Sequence, residues 1–138
     1  MGIEQQYTVK GGDFSHAGSA SSHVRKLLKQ LEIAPEKIRR IVIALYEAEM
    51  NIVAHASSGI VRIFLEKDAI IMVLEDQGPG IPDIEQAMKE GFSTASRKVR
   101  EMGFGAGMGL ANMKRNADLL EITSTVGVGT TVRMTNYF

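Results

Sequence analysis

The sequence predicts an α+β two-layer sandwich: one mixed, mostly antiparallel sheet with its helices on one face. Three observations carry that prediction. Strand-like and helix-like segments follow in the order strand, helix, helix, two strands, short helix, long loop, helix, two strands. Both strand pairs are joined by a few turn residues, as in hairpins. The longest helical segment is apolar on most sides, so something must cover it on most sides. At 138 residues the chain is read as one domain, 1–138, long enough to bury a core.

Residues 4–10 alternate and predict the first strand, broken by Gly11 and Gly12. Residues 16–31 turn helical, with Val24, Leu27, Leu28 and Leu31 at helical spacing. Pro35 suits the first turn of the next helix, at about 36–56. There Ile38, Ile41, Val42, Leu45, Ala48, Ile52 and Val53 form one apolar face, which Ile43, Tyr46 and Met50 extend. A narrow polar stripe remains: Arg40, Glu47, Asn51 and, at its edge, His55. Glu49 falls on the apolar side, where the pattern offers no account of it.

The Ser57-Ser58-Gly59 run ends this helix, and residues 60–66 and 69–76 read as a hairpin around Lys67 and Asp68. A turn cluster, QGPGIP, precedes a short helix over 83–91, with Asp83 as N-cap and Gly91 just past its end. Residues 92–107 read as a long loop, a length typical of lids and binding loops. Residues 108–118 open another helix, and 119–125 and 130–134 close the chain as a hairpin.

Composition narrows the function. Sixteen basic and 16 acidic side chains cancel, which removes the bulk electrostatic case for nucleic acid or an anionic membrane. With no cysteine there is no disulfide framework and no thiolate chemistry. No apolar run approaches a membrane span, and the first residues lack a signal-peptide core, so a cytoplasmic protein is expected. His16 and His23 have no ligand-like spacing and are expected to be structural or surface residues; His55, one turn beyond Asn51, is expected to cap its helix or lie at the surface, with a place near a bound ligand as the alternative. Most of the eight methionines are expected to fill the core.

Three stretches carry chemistry. Glu47 and Asn51, four apart, share one side of a largely buried helix. Asn51 can offer a hard oxygen to Mg²⁺, and Glu47 can orient or deprotonate a nucleophile; a satisfied polar pair is the plainer alternative. Asp76 ends an apolar strand and enters a turn with Gly78 and Gly80. As an acceptor it suits an exocyclic amine such as adenine's, although an ordinary turn would look alike. The run GFGAGMGL places glycines at 103, 105, 107 and 109 before a helix. It fits neither the dinucleotide fingerprint nor the P-loop. Amides at a helix N-terminus bind anions, so this run is either a phosphate loop or a flexible surface loop. Arg97, Lys98 and Arg100 precede it and are either phosphate-facing or solvated.

The order of these pieces, Glu-x-x-x-Asn on a helix, Asp-x-Gly-x-Gly after a strand, a long loop, Gly-x-Gly-x-Gly-Leu before a helix and Gly129-Thr130 in a last hairpin, resembles the GHKL (Bergerat-fold) ATP-binding family. Within it the chain is most similar to the small anti-sigma-factor and switch-protein serine kinases of bacterial partner switching, notably through DQGPGIPDIEQAMKEGFST and VGVGTTVRM. The resemblance implies ATP (or ADP) and Mg²⁺ as ligands, with Asn51 on the metal, Asp76 on the adenine amine and Glu47 as base or its helper. It further implies a nucleotide site of Asn51, Asp76, Gly78, Gly80, Ile81, Gly105, Gly107, Met108, Gly109, Leu110 and Thr130. Its implied partners are a STAS-type antagonist protein, a sigma factor or both, and possible homodimers, with no nucleic acid and no membrane. Residues 95–107 look longer than the corresponding lid, which leaves the roles of Arg97, Lys98 and Arg100 open. A non-catalytic ATP-dependent binding module and a simple ATPase are the alternatives. A histidine kinase or a gyrase-type clamp is disfavoured, since neither a dimerisation hairpin nor a transducer domain is expected in this length.

Overall fold

The computed structural model describes residues 2–88 and 109–138. The expected loop at 92–107, Gly91, Arg97, Lys98, Arg100, Gly105, Gly107 and Met108 lie outside the described residues. Strand β1 (Ile3–Lys10) leads through a 3-10 turn (Phe14–His16) into α1 (Ser19–Gln30) and α2 (Pro35–His55). Then follow β2 (Ser58–Leu65), β3 (Ala69–Gln77), the short α3 (Ile84–Ala87), α4 (Gly109–Asn116), β4 (Leu119–Thr125) and β5 (Gly129–Tyr137). The sheet order is β1-β2-β3-β5-β4. All four pairings are antiparallel, where a mixed but mostly antiparallel sheet was expected. The cause is the hairpin between β4 and β5: β5 slots beside β3 and leaves β4 at the edge.

Strand residues alternate between the helix layer and the opposite face. Val61, Ile63 and Leu65 of β2 and Ile70, Met72 and Leu74 of β3 are buried, and their neighbours are not. They meet Val24 and Leu28 of α1, Ile41, Leu45 and Ile52 of α2 and Met113 of α4, in one core that also takes in Met134 of β5. Each such side chain contributes about 1.5–3 kcal/mol by leaving water. Methionines 50, 72, 113 and 134 are core residues, as expected. On the opposite face Arg62 and Glu75 pair at 2.8 Å.

Several boundaries differ from the sequence reading for physical reasons. Helix α1 starts at Ser19 because Gly18, at φ +87°, turns the chain into it. Ser58 and Gly59, read as a helix stop, belong to β2. A Cβ on Gly59 would sit 2.7 Å from Ile52 Cδ1, so this glycine makes room for α2 to lie on the sheet. Tyr46, counted with the apolar face, is 38% exposed. Pro35 takes the first turn of α2, and Asp83 caps α3 by accepting the Gln86 N–H at 3.1 Å.

Candidate nucleotide site

Helix α2 runs across the sheet with α1 on one side and α4 on the other. Glu47 and Asn51 lie on its α4 side, half-buried. A Cβ on Gly109 would stand 3.2 Å from Asn51 Oδ1 and 3.4 Å from Glu47 Oε2, so both oxygens converge on the first turn of α4. Glycine there lets the two helices approach within reach of those oxygens. Leu110 follows and is only 7% exposed, its side chain packed into the core.

Asn112, one turn further along α4, donates from Nδ2 to Glu47 Oε1 at 3.4 Å and accepts at Oδ1 from Arg115 Nη1 at 3.3 Å. Burial pushes the Glu47 carboxyl above the usual carboxylate range, and the Asn112 bond opposes that rise. A carboxyl raised in this way is moved toward the range where a general base works. Asn112 was missed in the sequence. Its one signal is the helical spacing of three from Gly109, which puts it on the same face.

The second group of residues lies where β3 ends. Asp76 Oδ1 accepts the Thr130 N–H at 3.1 Å. Burial also raises the Asp76 carboxyl, and the Thr130 bond pulls it back. The turn after Asp76 is clamped on the β4–β5 hairpin: Gly78 N–H donates to Val128 O at 3.1 Å, and Gly127 N–H donates to Pro79 O at 2.9 Å. Gly80 sits at φ +76°, where a Cβ would fall 2.5 Å from Thr125 O. A Cβ on Gly129 would fall 2.0 Å from Asp76 O. Two backbones therefore pack face to face beside the carboxylate, and glycine is the residue that allows it. Ile81 N–H donates to Ser124 Oγ at 2.7 Å, and that oxygen lies 2.8 Å from Thr130 Oγ1.

The two groups are neighbours. A Cβ on Gly78 would lie 3.1 Å from Ala56 Cα, at the end of α2. Asn51 is five residues back on the same helix, about 7.5 Å along its axis. His55 lies between them, and burial holds its imidazole below the usual range. The other expectations fall away from this place. His16 pairs with Asp13 at 2.9 Å in the 3-10 turn. His23 bonds the Tyr7 hydroxyl, with the two rings edge to face. Arg40 bridges to Asp118 at 2.9 Å, at the other end of α2. Glu49, on the opposite side of α2 from Glu47, accepts the Ala20 and Ser21 N–H groups at 3.2 and 3.1 Å and the Ser21 hydroxyl at 2.7 Å. It caps α1 from outside that helix.

Among the described residues no cluster of three or more His, Cys, Asp or Glu could hold a metal. The donors that do converge, Asn51 Oδ1 and Glu47 Oε2, are hard oxygens. They fit an ion such as Mg²⁺, which takes one or two protein oxygens and completes its shell with water and phosphate. No helix among the described residues is long and apolar enough to cross a membrane.

An antiparallel sheet backed by helices, with a carboxamide and a carboxylate facing a glycine-led helix and an aspartate locked to the last hairpin, defines a histidine kinase-like ATPase fold. Residues 13–136 match the histidine kinase-like ATPase domain family, and the chain belongs to it. Its relatives include the anti-sigma F factor of Caldanaerobacter subterraneus, 38% identical over 86% of this chain and 82% of the relative. The serine/threonine-protein kinase RsbT of Bacillus subtilis is 34% identical over 79% of each chain. The circadian input-output histidine kinase CikA of Synechococcus elongatus is 32% identical over 70% of this chain but only 14% of its own length.

Proposed function

We propose that this chain is a cytoplasmic protein kinase of the partner-switching type, which binds ATP with Mg²⁺ and phosphorylates a serine or threonine of a small STAS-type antagonist protein. The observation that carries the reading is the convergence of Glu47 Oε2 and Asn51 Oδ1 on Gly109, at the first turn of α4. The similarity to a serine/threonine-protein kinase supports it.

In this reading Asp76 accepts the exocyclic amine of adenine, and Gly78, Gly80, Ile81 and Thr130 shape the pocket around the base. The amides opening α4, from Gly109 and Leu110, face the phosphates together with Gly105, Gly107 and Met108 of the preceding run. Asn51 supplies an oxygen to Mg²⁺, whose charge would offset that of the phosphates. Glu47 accepts the proton of the partner's hydroxyl as its oxygen bonds to the γ-phosphorus. The bond from that phosphorus to the bridging oxygen breaks, and ADP leaves with the electron pair. Asn112 holds Glu47 for that task. Positioning and charge stabilisation supply most of the acceleration in such transfers.

The name of the Caldanaerobacter relative favours a second reading, in which the nucleotide-loaded chain, as a monomer or a homodimer, captures a sigma factor without chemistry. One assay separates the two. The protein is incubated with labelled ATP, Mg²⁺ and a STAS-type protein. Label on a partner serine, abolished in Asn51→Ala, supports the kinase. Tight ATP binding with no transfer supports the module, and release of free phosphate alone supports an ATPase. If Asp76→Asn leaves ATP affinity unchanged, the nucleotide assignment is wrong.

A further inference from the structure

Asn136 lies on the face of β5 that carries Val132 and Met134 into the core, and it is 2% exposed. Its two polar atoms fare differently. Nδ2 donates at 2.8 Å to Asn116 O, the last carbonyl of α4. Among the described residues no donor reaches Oδ1. A buried carbonyl left unpaired costs free energy, and an apolar side chain of similar size would avoid that cost. The part of Asn136 that is used is therefore its NH₂ group, and that group is spent on the end of α4.

Helix α4 has eight residues, short enough to be marginal on its own, so tertiary bonds decide how it sits. Leu110 and Met113 bury it against the core, but apolar burial is non-directional. Direction comes from the polar groups of its last turn. Asn116, held at its carbonyl by Asn136, donates from its own Nδ2 to Asn112 O at 2.9 Å. Asn112 donates in turn from its side chain to Glu47 Oε1 at 3.4 Å. Three asparagines thus form one line, from β5 through the last turn of α4 to a carboxyl on α2. A helix about 12 Å long moves as a unit, so holding its last carbonyl also places Asn112, one turn back. The next bonds along the chain, from Asp118 N–H to Thr135 O at 3.0 Å and from Tyr137 N–H to Asp118 Oδ2 at 2.8 Å, tie down the segment after α4 rather than the helix itself.

We propose that Asn136 is a positioning residue for phosphotransfer: by capping the last carbonyl of α4 from β5 it sets where Asn112 stands, and through Asn112 the placement of Glu47 against the partner's hydroxyl. The inference rests on the kinase reading above and adds to it a residue that touches neither ATP nor the partner.

The test uses the whole chain with labelled ATP, Mg²⁺ and a STAS-type protein. It compares wild type, Asn136→Leu, Asn136→Asp, Asn112→Ala and the double variant Asn112→Ala with Asn136→Leu. Single-turnover transfer rates, and ATP affinity by calorimetry, are measured well below every melting point. Asn136→Leu slows transfer by about tenfold or more, the effect of a misplaced reacting group, while ATP affinity changes by less than about threefold. Asn136→Asp, which keeps the shape and replaces the donor by an acceptor, slows it too, and either variant serves if the other does not fold. In the double variant the loss matches the larger single loss to about twofold, because both substitutions break one line. Rates unchanged within about twofold in both Asn136 variants, or a double variant whose loss is the product of the single losses, overturn the role of Asn136 and leave the kinase reading standing. A fall in ATP affinity as large as the fall in rate overturns it as well, since that is the mark of general loosening. Wild type that binds ATP and transfers nothing overturns the kinase reading, and this role with it.

Discussion

Glu49 offers the sharpest test of how this fold is held together. It is 2% exposed, yet three donors from α1 reach it. The residue before α1, Gly18, has no side chain with which to cap the helix, so the Ala20 and Ser21 amides would otherwise be orphans of the first turn. Glu49 also makes itself felt at Tyr7, whose hydroxyl is pushed up first by burial and then by the Glu49 charge. Glu49→Gln keeps the shape and exchanges one acceptor oxygen for an NH₂ group. With NH₂ toward Ala20, one charge-assisted bond is replaced by two donors facing each other, and the two bonds from Ser21 become neutral ones. A bond to a charged group is worth about 1.5–3 kcal/mol and a neutral one about 1, so losing one and weakening two gives a gross loss of about 2.5–7 kcal/mol. Removing a buried charge relieves its desolvation and returns part of this. The expected net loss is about 2–3 kcal/mol, a large share of the 5–15 kcal/mol typical of a domain. Urea denaturation at neutral pH reads it as a lower midpoint at unchanged slope, and melting reads it as a fall of about 7–10 °C. Glu49→Ala, which orphans all three donors, loses more. ATP affinity, measured well below the melting point, is unchanged in Glu49→Gln because the residue faces away from Glu47 and Asn51. A midpoint within about 0.5 kcal/mol of wild type for Glu49→Gln would falsify the capping argument.

Gly109→Ala improves helix propensity, but its Cβ meets Asn51 Oδ1 at 3.2 Å; phosphotransfer falls by about tenfold or more while the melting point holds or rises. Gly80→Ala and Gly129→Ala drive a Cβ onto backbone at 2.5 and 2.0 Å and lose about 2 kcal/mol or more by denaturation, with nucleotide binding weakened in parallel. If Asp76 holds the base as proposed, ATP affinity falls on the acid side: burial raises its folded carboxyl above the usual range, so the acceptor is lost as pH falls through that raised value, before an ordinary aspartate would protonate. Glu47 gives the matching stability effect. Its raised value means that folding opposes ionisation, so stability is lost as pH rises from the unfolded value of about 4.3 through the folded one; Glu47→Gln therefore melts higher than wild type at neutral pH, and the difference vanishes at pH 3. A Glu47→Gln variant that melts lower at neutral pH refutes this.

What the sequence made legible, and what it hid, divides along a physical line. Gly80 and Gly129 stood out because backbone demanded them: a Cβ on either would fall 2.5 or 2.0 Å from a main-chain oxygen, so glycine is the solution, and it marks Asp76, Gly78 and Thr130 beside it in the sequence. The apolar faces of α1, α2 and the central strands were legible because burial follows period 3.6 or 2. Ser124, Asn112 and Glu49 were not, because each owes its role to a partner that no periodicity names. Ser124 sits at a routine strand position, and only the Ile81 amide, 43 residues away in sequence, makes it a junction. Asn112 reads as one more polar residue of a short helix until Glu47, 65 residues earlier, is found beside it. Glu49 looked like a charge misplaced on an apolar face, since the donors that justify it are main-chain N–H groups, which every sequence possesses and none advertises. Gly59 shows the converse error. Its signal was visible and was given the wrong cause, a helix stop, when the cause is Ile52 lying on the sheet. Residues marked by glycine-shaped backbone are therefore found before polar side chains whose partners lie far away in sequence, and on the proposed nucleotide reading Asn112 is where a substitution separates function from stability.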